Sequence, residues 1–297
     1  MQLDDIKTIG VVGAGQMGRG IGQVCAAAGY RVLLNDLAEP LLAGAISKIR
    51  VSLDRAIEHG ASYQTGEVLA LIHPVLHMER LRDAQLVIEA IPEDLARKQA
   101  LFGELNRLCR PHTILASNTS SISIAKLGAA SGRPDRVVGM HFMNPVPVMR
   151  LVEIVQGRDT SEHTLETAVD LARKLDKVPV VANDVPGFIV NRVLMPMINE
   201  AVFALEEGVA SAEHIDLAMA TGANHPVGPL ALADRIGLDT VLAICEVLHQ
   251  DLNDPKFRPC PLLRRYVEAG WLGRKTGRGF FVYEAGGARQ EATNITR

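Results

Sequence analysis

The fold is decided by the stretch Thr8-Ile9-Gly10-Val11-Val12-Gly13-Ala14-Gly15-Gln16-Met17-Gly18 of this 297-residue chain. Its first part, residues 8–13, is a short apolar run ending in glycine, which predicts a buried β-strand. Its second part, residues 13–18, has the spacing G-x-G-x-x-G, a weak signal unless it follows a strand and opens a helix. A helix is indeed predicted next, because one helical face collects the apolar side chains Met17, Ile21, Val24, Cys25 and Ala28.

The glycines of this motif predict a site for the pyrophosphate of a dinucleotide. The first glycine permits a tight turn, the second lets the backbone approach the phosphates, and the third lets the helix pack closely on the strand. The helix N-terminus adds free N–H groups and the positive end of its dipole. The alternative is a glycine-rich turn that binds nothing. The predicted nucleotide-binding residues here are Gly13, Gly15, Gln16, Met17 and Gly18.

Asp36 indicates which dinucleotide binds. It follows the second predicted strand, residues 31–35, where a carboxylate can accept hydrogen bonds from the adenosine ribose hydroxyls. The same carboxylate would repel the 2′-phosphate of NADP, and Leu37 follows instead of an arginine, so the sequence favours NAD. FAD also binds folds of this kind, but the chain shows no second fingerprint and lacks room for a typical two-nucleotide flavin architecture.

Apolar runs alternate with amphipathic stretches through the first half of the chain. Further strands are predicted at residues 86–91, 113–117, 137–141 and 151–155. Helical or loop stretches separate most of them. This order is typical of an α/β domain of the Rossmann type, with a doubly wound, mostly parallel sheet and helices on both faces.

Composition changes near residue 185. The turn-rich segment Asn183-Asp184-Val185-Pro186-Gly187 predicts a hinge, and nearly everything beyond it is helical in pattern. Ser211 is predicted to cap a helix that ends at Gly222. The other helices are predicted at residues 190–205, 230–249 and 262–269. The predicted division is a Rossmann-type NAD-binding domain at 1–184, an all-α domain for substrate and dimer contacts at 185–284, and a polar, disordered tail at 285–297.

Charge and composition argue against several classes of protein. The 31 Lys and Arg against 34 Asp and Glu, a net charge of −3, give no electrostatic case for nucleic acid or an anionic membrane surface. No apolar run approaches the roughly 20 residues of a spanning helix, and the N-terminus is acidic where a secretory signal is basic. The four cysteines form no C-x-x-C pair, which predicts reduced thiols in a cytoplasmic protein and no metal site.

Polar groups at strand ends are the candidates for chemistry. His141 ends a predicted strand, and ligands of open α/β sheets bind beyond the carboxyl ends of strands. A histidine suits the role of a base because its pKa lies near neutral. The run Ser117-Asn118-Thr119-Ser120-Ser121 follows another strand and offers small donors at the same edge. Glu153 lies within an apolar run, where a buried carboxylate would need a partner such as a histidine.

Each of these candidates has a purely structural alternative. His141 is one of nine histidines and could simply end a strand. The Ser117–Ser121 run could be a turn or a helix cap, Glu153 could face solvent, and Asn191 could cap or pack within its helix. The residues alone therefore indicate a nucleotide-binding oxidoreductase and leave its substrate open.

Longer motifs add a resemblance. They occur in this order: Ile88-Glu89-Ala90-Ile91-Pro92-Glu93, Ser117 to Ser121, His141-Phe142-Met143-Asn144-Pro145-Val146-Pro147-Val148-Met149, Pro186-Gly187-Phe188-Ile189-Val190-Asn191-Arg192 and Lys275-Thr276-Gly277-Arg278-Gly279-Phe280. With the glycine fingerprint, they resemble the 3-hydroxyacyl-CoA dehydrogenase family, most of all its free-standing 3-hydroxybutyryl-CoA type, over residues 9–283. The resemblance implies reversible hydride transfer between NAD and the C3 hydroxyl or keto group of a short 3-hydroxyacyl-CoA.

The resemblance also implies a role for each site residue. His141 would be the general base and Glu153 would hold its imidazole. Ser120 would donate to the substrate oxygen, and Asn191 would help to place the substrate and His141. The residues implied to contact NAD are Asp36, Glu93, Lys98, Asn144 and Lys275.

Recognition of CoA is implied for the helix around residues 48–55, with Ser52 at a position expected to contact it. His59 stands where a lysine is expected, and the cations Lys48, Arg50 or Arg55 could compensate; a solvated helix face is their alternative. His225, in the loop of residues 224–229, is also a less usual residue for the family and is interpreted as local variation. The resemblance further implies a homodimer formed through the helical domain, and an active site in the cleft between the domains, which would close over the thioester.

Two rival functions stay open at this point. One is a related dehydrogenase that acts on a free hydroxy acid; the Phe142–Pro147 motif argues against it, because it favours the thioester family. The other is a non-catalytic NAD-binding or structural protein, against which the joint presence of Ser120, His141, Glu153 and Asn191 argues. Fatty-acid, butanoate or polymer metabolism and aromatic-acid breakdown all need such a reaction, and the sequence does not choose among them.

Overall fold

A computed structural model describes residues 3–284. These residues divide into two compact units, the first extending to Phe188 and the second beginning at Ile189. The polar tail expected at 285–297 lies outside the described residues.

One sheet forms the centre of the first unit. Its strands are β1 (Thr8–Val12), β2 (Arg31–Asn35), β3 (Ile72–Val75), β4 (Leu86–Glu89), β5 (Ile114–Ser117), β6 (Val137–Phe142), β7 (Leu151–Gln156) and β8 (Val178–Asn183). Their order across the sheet is β3-β2-β1-β4-β5-β6-β7-β8. Every neighbouring pair is parallel except β6 with β7. The predicted doubly wound, mostly parallel sheet is therefore confirmed.

Helices cover both faces of this sheet. They are α1 (Gln16–Ala27), α2 (Glu39–Glu58), α3 (Thr65–Ala70), α4 (Leu95–Leu108), α5 (Ile124–Ser131) and α6 (Glu162–Lys174). Side chains of α1, α2 and α6 share one buried cluster with alternate strand residues such as Ile9 and Ile88. Side chains of α4 and α5 share another cluster with the intervening strand residues, such as Val87 and Leu115. The alternation follows from the period of two along a strand, which sends successive side chains to opposite faces.

The two strands that the sequence patterns miss, β3 and β8, lie at the two edges of the sheet. Pro74 and Pro179 fall inside them, and proline is tolerated at edges because it cannot donate to the hydrogen-bond ladder. The exposed residues of β8 also include Val178, Val180 and Val181. An edge strand needs no continuous apolar run, so the pattern that identifies the buried central strands does not identify these.

The second unit is helical, with α7 (Val190–Glu206), α8 (Ala212–Gly222), α9 (Pro229–Ile236), α10 (Leu238–Leu252) and α11 (Pro261–Glu268). Ser211 caps α8 as predicted, its hydroxyl accepting from the His214 N–H. The single helix predicted over residues 230–249 is wrong. Gly237, at φ +103°, separates α9 from α10, and this backbone conformation strongly favours glycine.

Neither a membrane-spanning helix nor a metal-binding group is found among residues 3–284. None of the helices there is both long and apolar enough to cross a bilayer. The same residues contain no cluster of three or more His, Cys, Asp or Glu side chains that could hold a metal ion. All four cysteines are buried and unpaired.

Candidate active site

The glycine turn between β1 and α1 has the geometry that close packing demands. Gly13 has φ +98°, and a Cβ added there would lie 2.6 Å from the Ala90 carbonyl oxygen. A Cβ added to Gly18 would lie 1.7 Å from the Gly13 oxygen. Gly15 differs, because a Cβ added there meets no atom within 4 Å. The turn thus leaves open space beside Gly15 at the N-terminus of α1, which fits a pyrophosphate approaching the backbone.

Asp36 lies beside this turn because β1 and β2 are neighbours in the sheet. Its Oδ2 atom accepts a hydrogen bond from the Ala14 N–H at 2.7 Å, and Oδ1 accepts one from the Leu37 N–H at 2.7 Å. The carboxylate is half-buried and held at the C-terminal end of β2. A negative charge fixed here suits two ribose hydroxyls and opposes a 2′-phosphate.

The segment after β6 folds over α1. Gln16 donates from Nε2 to Oδ1 of Asn144 at 2.9 Å. Val146 packs on Gly20, where an added Cβ would lie 2.9 Å from the valine Cβ. The buried ammonium of Lys177 donates to the carbonyls of Val146 at 2.7 Å and Met149 at 3.0 Å. Burial lowers the pKa of Lys177 below its ordinary value.

His141 and Glu153 form a buried pair. Nδ1 of the histidine lies 2.7 Å from Oε2 of the glutamate, with 8% of His141 and 0% of Glu153 exposed. The Phe188 ring lies in a T-shaped arrangement with the imidazole, at 5.7 Å between ring centres and 61° between ring planes. With Nδ1–H donating to the carboxylate, Nε2 is left as the acceptor. Such an imidazole can take a proton, and the carboxylate stabilises the charge that results.

The Ser117–Ser121 run follows β5 at the same edge of the sheet, since β5 and β6 are parallel neighbours. One carboxylate oxygen, Oε1 of Glu93, organises it. This oxygen accepts from the Thr119 hydroxyl at 2.6 Å, from the Ser120 N–H at 3.0 Å and hydroxyl at 3.3 Å, and from both the N–H and the hydroxyl of Ser121. The turn that carries Ser120 is therefore fixed by Glu93.

Lys98 joins Glu93 to a second, deeper carboxylate. Its ammonium lies 2.9 Å from Oε2 of Glu93 and 2.8 Å from Oε1 of Glu89, and the side chain is 1% exposed. Partial burial alone would raise the pKa of Glu93. The nearby Lys98 charge, with hydrogen bonds from Thr119 and Ser120, lowers it below its ordinary value. The ammonium in this arrangement faces two carboxylates.

A cavity of about 1030 Å³ lies between α2, α1 and the segment after β6. Ser52 of α2 lines it and is half-buried. The cationic side chains that line it are Lys48, Arg55 and Arg19. His59 also lines it, with Nδ1 2.7 Å from the Arg55 carbonyl oxygen. Arg50 is on α2 but does not line the cavity. A phosphate-bearing ligand would find positive charge here.

Two residues that the resemblance implies lie in the second unit. Asn191 is buried in the first turn of α7. Lys275 donates to both carboxylate oxygens of Asp239 at 2.6 Å. Their predicted roles, placing the substrate and contacting NAD, stay predictions.

The sequence patterns did not single out three residues of this region: Glu89, Thr119 and Lys177. Glu89 had a usable signal, because it ends an apolar strand just as Glu153 interrupts one. Thr119 lies within the Ser117–Ser121 run and was not distinguished there. Lys177 had no signal, since a lysine in a turn before a strand is normally solvated.

The fold and the glycine turn define a dinucleotide-binding protein of the Rossmann type, and comparisons identify its family. The chain matches the model of the NAD-binding domain of 3-hydroxyacyl-CoA dehydrogenase over residues 8–185. It matches the model of the C-terminal domain of the same enzymes over residues 187–283. The chain therefore belongs to the 3-hydroxyacyl-CoA dehydrogenase family, and NAD is its cofactor.

Similar proteins cover almost the whole chain. A probable 3-hydroxybutyryl-CoA dehydrogenase of Bacillus subtilis is 53% identical over 283 residues, 94% of this chain and 98% of the relative. A 3-hydroxybutyryl-CoA dehydrogenase of Bradyrhizobium diazoefficiens is 50% identical over 280 residues, 94% of this chain and 96% of the relative. The crystal structure of (S)-3-hydroxybutyryl-CoA dehydrogenase from Ralstonia eutropha superposes with a TM-score of 0.91 at 47% identity, covering 94% of this chain and 100% of that one.

Proposed function

We propose that this enzyme interconverts 3-hydroxybutyryl-CoA and acetoacetyl-CoA with NAD, acting on the (S)-alcohol. The observation that carries the proposal is the buried His141–Glu153 pair at the carboxyl edge of the sheet, one strand away from the Ser120 turn. The names of the relatives from Bacillus subtilis, Bradyrhizobium diazoefficiens and Ralstonia eutropha support the choice of substrate.

His141 is the general base of the proposed oxidation. Its Nε2 atom accepts the proton of the substrate 3-hydroxyl, while Glu153 accepts the Nδ1 hydrogen bond and stabilises the imidazolium. On substrate binding, Ser120 turns its hydroxyl proton from Oε1 of Glu93 to the substrate oxygen, because a hydroxyl has one proton to donate, and its backbone N–H stays on Glu93. Asn191 helps to place the substrate. Bound NAD supplies the acceptor for the hydride that leaves C3. In the reverse direction the imidazolium returns its proton to the oxygen.

The first unit holds NAD in this proposal. The N–H groups at the start of α1 bind the pyrophosphate beside Gly15, and Asp36 accepts from the adenosine ribose. Glu93, Asn144, Lys98 and Lys275 would also contact NAD. Because only 1% of the Lys98 side chain is exposed, its contribution to NAD binding is mainly to hold Glu93 in place.

The cavity beside α2 is proposed to bind the CoA moiety. Ser52 supplies a hydroxyl, and Lys48, Arg55 and Arg19 supply charge for the phosphates. We further propose a homodimer formed through the helical unit and a location in the cytoplasm. Four buried, unpaired thiols support a reducing compartment.

The test follows the absorbance of NADH with acetoacetyl-CoA, for the wild type and for His141→Ala. Turnover by the wild type and a loss of roughly 10²–10⁴-fold in the variant are expected. His112→Ala, at an exposed histidine before β5, is the matched control and keeps wild-type activity. Undiminished turnover by His141→Ala would remove His141 as the base.

Further substrates separate the rival functions. Faster oxidation of free 3-hydroxybutyrate than of its CoA ester would indicate a hydroxy-acid dehydrogenase. A wild type that binds NADH yet turns over neither substrate would favour the non-catalytic alternative. Equal rates with (R)- and (S)-3-hydroxybutyryl-CoA would contradict the proposed preference for the (S)-alcohol.

A further inference from the structure

Glu89 is a fully buried carboxylate, 0% exposed, at the C-terminal end of β4. Each of its oxygens receives hydrogen bonds. Oε1 accepts from the Ile91 N–H at 2.7 Å and from Lys98 at 2.8 Å. Oε2 accepts from Lys98 at 3.0 Å and from the Ser117 hydroxyl at 2.5 Å. A charge removed from water is retained only where donors replace its hydration, and here every contact is a donor.

Lys98 connects the buried Glu89 to the more exposed Glu93. Its ammonium lies between Glu89 and Glu93, at 2.8 Å and 2.9 Å, and almost none of the side chain reaches solvent. An ammonium held by one carboxylate alone could turn about its flexible stem. An ammonium held by both Glu89 and Glu93 is fixed in one position. It therefore also fixes the carboxylate of Glu93, the more exposed of the two.

Glu93 in turn fixes the Ser120 turn, through the five hydrogen bonds that its Oε1 receives from Thr119, Ser120 and Ser121. The Ser117 hydroxyl, bonded to Glu89, begins the same turn and accepts from the Thr119 N–H at 3.3 Å. The turn is therefore held at its start by Glu89 directly and at its tip by Glu93.

We propose that Glu89 is a positioning residue for catalysis, holding the Ser120 hydroxyl in place through Lys98 and Glu93. The inference rests on the proposed function in so far as Ser120 donates to the substrate oxygen. Glu89 itself touches no reacting atom. It sets where Ser120 stands, and misplacement of such a donor by an ångström costs roughly 100-fold in rate.

Glu89→Gln is a near-isosteric change that tests this role. A glutamine amide has one acceptor oxygen and one donor nitrogen. Whichever way it turns, its NH₂ group meets Lys98 and either the Ile91 N–H or Ser117, all of which act as donors to the carboxylate in the present structure. Lys98 is then displaced, and Glu93 loses its anchor.

Hydrogen exchange of the free enzyme gives the first readout, since it requires no substrate. Glu89→Gln is expected to speed exchange of the Thr119, Ser120 and Ser121 amides relative to the wild type, because their acceptors move. Thr113→Val is the matched control. It removes a buried hydroxyl, just before β5, that donates to the carbonyl of Ala84, just before β4, and it leaves the Ser120 turn and turnover unchanged. Unaltered exchange at Ser120 and Ser121 in Glu89→Gln would overturn the proposal.

A double-mutant cycle with Ser120→Ala gives the second readout. Glu89→Gln alone is expected to lower kcat/KM for acetoacetyl-CoA roughly 10- to 100-fold. In the Ser120→Ala background the same change should cost no more than about twofold, because the group it positions is gone. Additive losses would mean that Glu89 acts independently of Ser120, on stability or on the NAD contacts of Glu93 and Lys98, and would overturn the inference.

Two contingencies remain distinguishable. Should Glu89→Gln fail to fold, Ser117→Ala removes the hydroxyl on Oε2 of Glu89 and also the acceptor of the Thr119 N–H. Exchange is therefore compared at Ser120 and Ser121, whose acceptor is Glu93, and smaller changes in the same direction are expected there. Absence of those changes overturns the inference. Should the wild type not turn over acetoacetyl-CoA, the proposed function is contradicted, and the exchange of Ser120 and Ser121 alone decides the role of Glu89.

Discussion

His141 on β6 and Glu153 on β7 are direct cross-strand partners, and their side chains meet at 2.7 Å between Nδ1 and Oε2. Among the described strands, β6 and β7 form the one antiparallel pair. Opposite residues of an antiparallel pair have Cβ atoms about 5 Å apart on the same face. The backbone pairing itself therefore aligns the base with its carboxylate.

Glu153→Gln is expected to lower kcat for acetoacetyl-CoA reduction roughly 10²–10⁴-fold. An amide NH₂ can donate to Nδ1, which holds the imidazole in its neutral Nε2–H form and disfavours the imidazolium that gives the proton in the reduction. The neutral amide also no longer stabilises the imidazolium. Steady-state kinetics with NADH measure the loss, and the melting temperature shows whether the variant folds. Wild-type kcat in a folded Glu153→Gln would contradict the proposed role of the pair.

Asp36→Asn is expected to reduce the preference for NADH over NADPH roughly tenfold or more, because about 1–2 kcal/mol of repulsion toward a 2′-phosphate disappears. The amide oxygen can still accept from the Ala14 N–H, but the NH₂ group then faces the Leu37 N–H, so the melting temperature is measured to show that the variant folds. The measurement is the ratio of kcat/KM for the two cofactors. Asp170→Asn, at an exposed aspartate on α6, is the control with an unchanged ratio. An unchanged ratio in Asp36→Asn would show that the carboxylate does not select the cofactor.

The central strands were predictable from sequence because burial on both faces makes them continuous apolar runs. Strands β1, β4, β5 and β6 are buried at every residue. The edge strands β3 and β8 lack that signature, and the break between α9 and α10 depends on the backbone conformation of one glycine, Gly237. Local sequence patterns do not indicate which strands lie at the edges of a sheet, or where a glycine conformation ends one helix and begins the next.

The candidate site divides in the same way. His141 and Glu153 could be nominated because each is a polar residue in or at the end of an apolar run. Lys177 could not, because its burial depends on a carbonyl 31 residues away, at Val146. The network from Glu89 through Lys98 to Glu93 also depends on the order of strands in the sheet, which brings Ser117 beside Glu89. Contacts of this kind follow from tertiary packing and leave no periodic trace.

Gly15→Ala and Gly18→Ala are expected to impair the enzyme in different ways: the first weakens NADH binding and the second lowers the stability of the fold. A methyl group at Gly15 meets no protein atom within 4 Å, so that variant should fold with a wild-type melting temperature and lose affinity for NADH roughly 10-fold or more as the methyl blocks the phosphates. A methyl group at Gly18 would lie 1.7 Å from the Gly13 oxygen, so that variant should lose stability.

Calorimetry with NADH and thermal melting separate the two glycine effects. Gly44→Ala is the control within α2, where an added methyl is also unopposed, and it should keep both stability and NADH affinity. Wild-type NADH binding by Gly15→Ala would show that the space beside Gly15 is not the phosphate site.

Lys177→Met is expected to loosen the segment that carries Asn144. Methionine keeps the bulk of the side chain and removes the donor, so the carbonyls of Val146 and Met149 lose their partner. Loss of hydrogen bonds from a charged donor should cost about 2–4 kcal/mol of stability. Because Asn144 and Val146 lie against α1, the same loosening should raise KM for NADH several-fold and leave kcat within about twofold.

The control for this variant is Lys174→Met, which changes an exposed lysine at the end of α6. It should alter neither the melting temperature nor KM. Steady-state kinetics at varied NADH, together with urea unfolding, distinguish the two parts of the expectation. A destabilised Lys177→Met with wild-type KM would mean that the lysine supports the fold alone. Lowered kcat at unchanged KM would place its effect on the chemistry of His141 and remove the docked segment as its target.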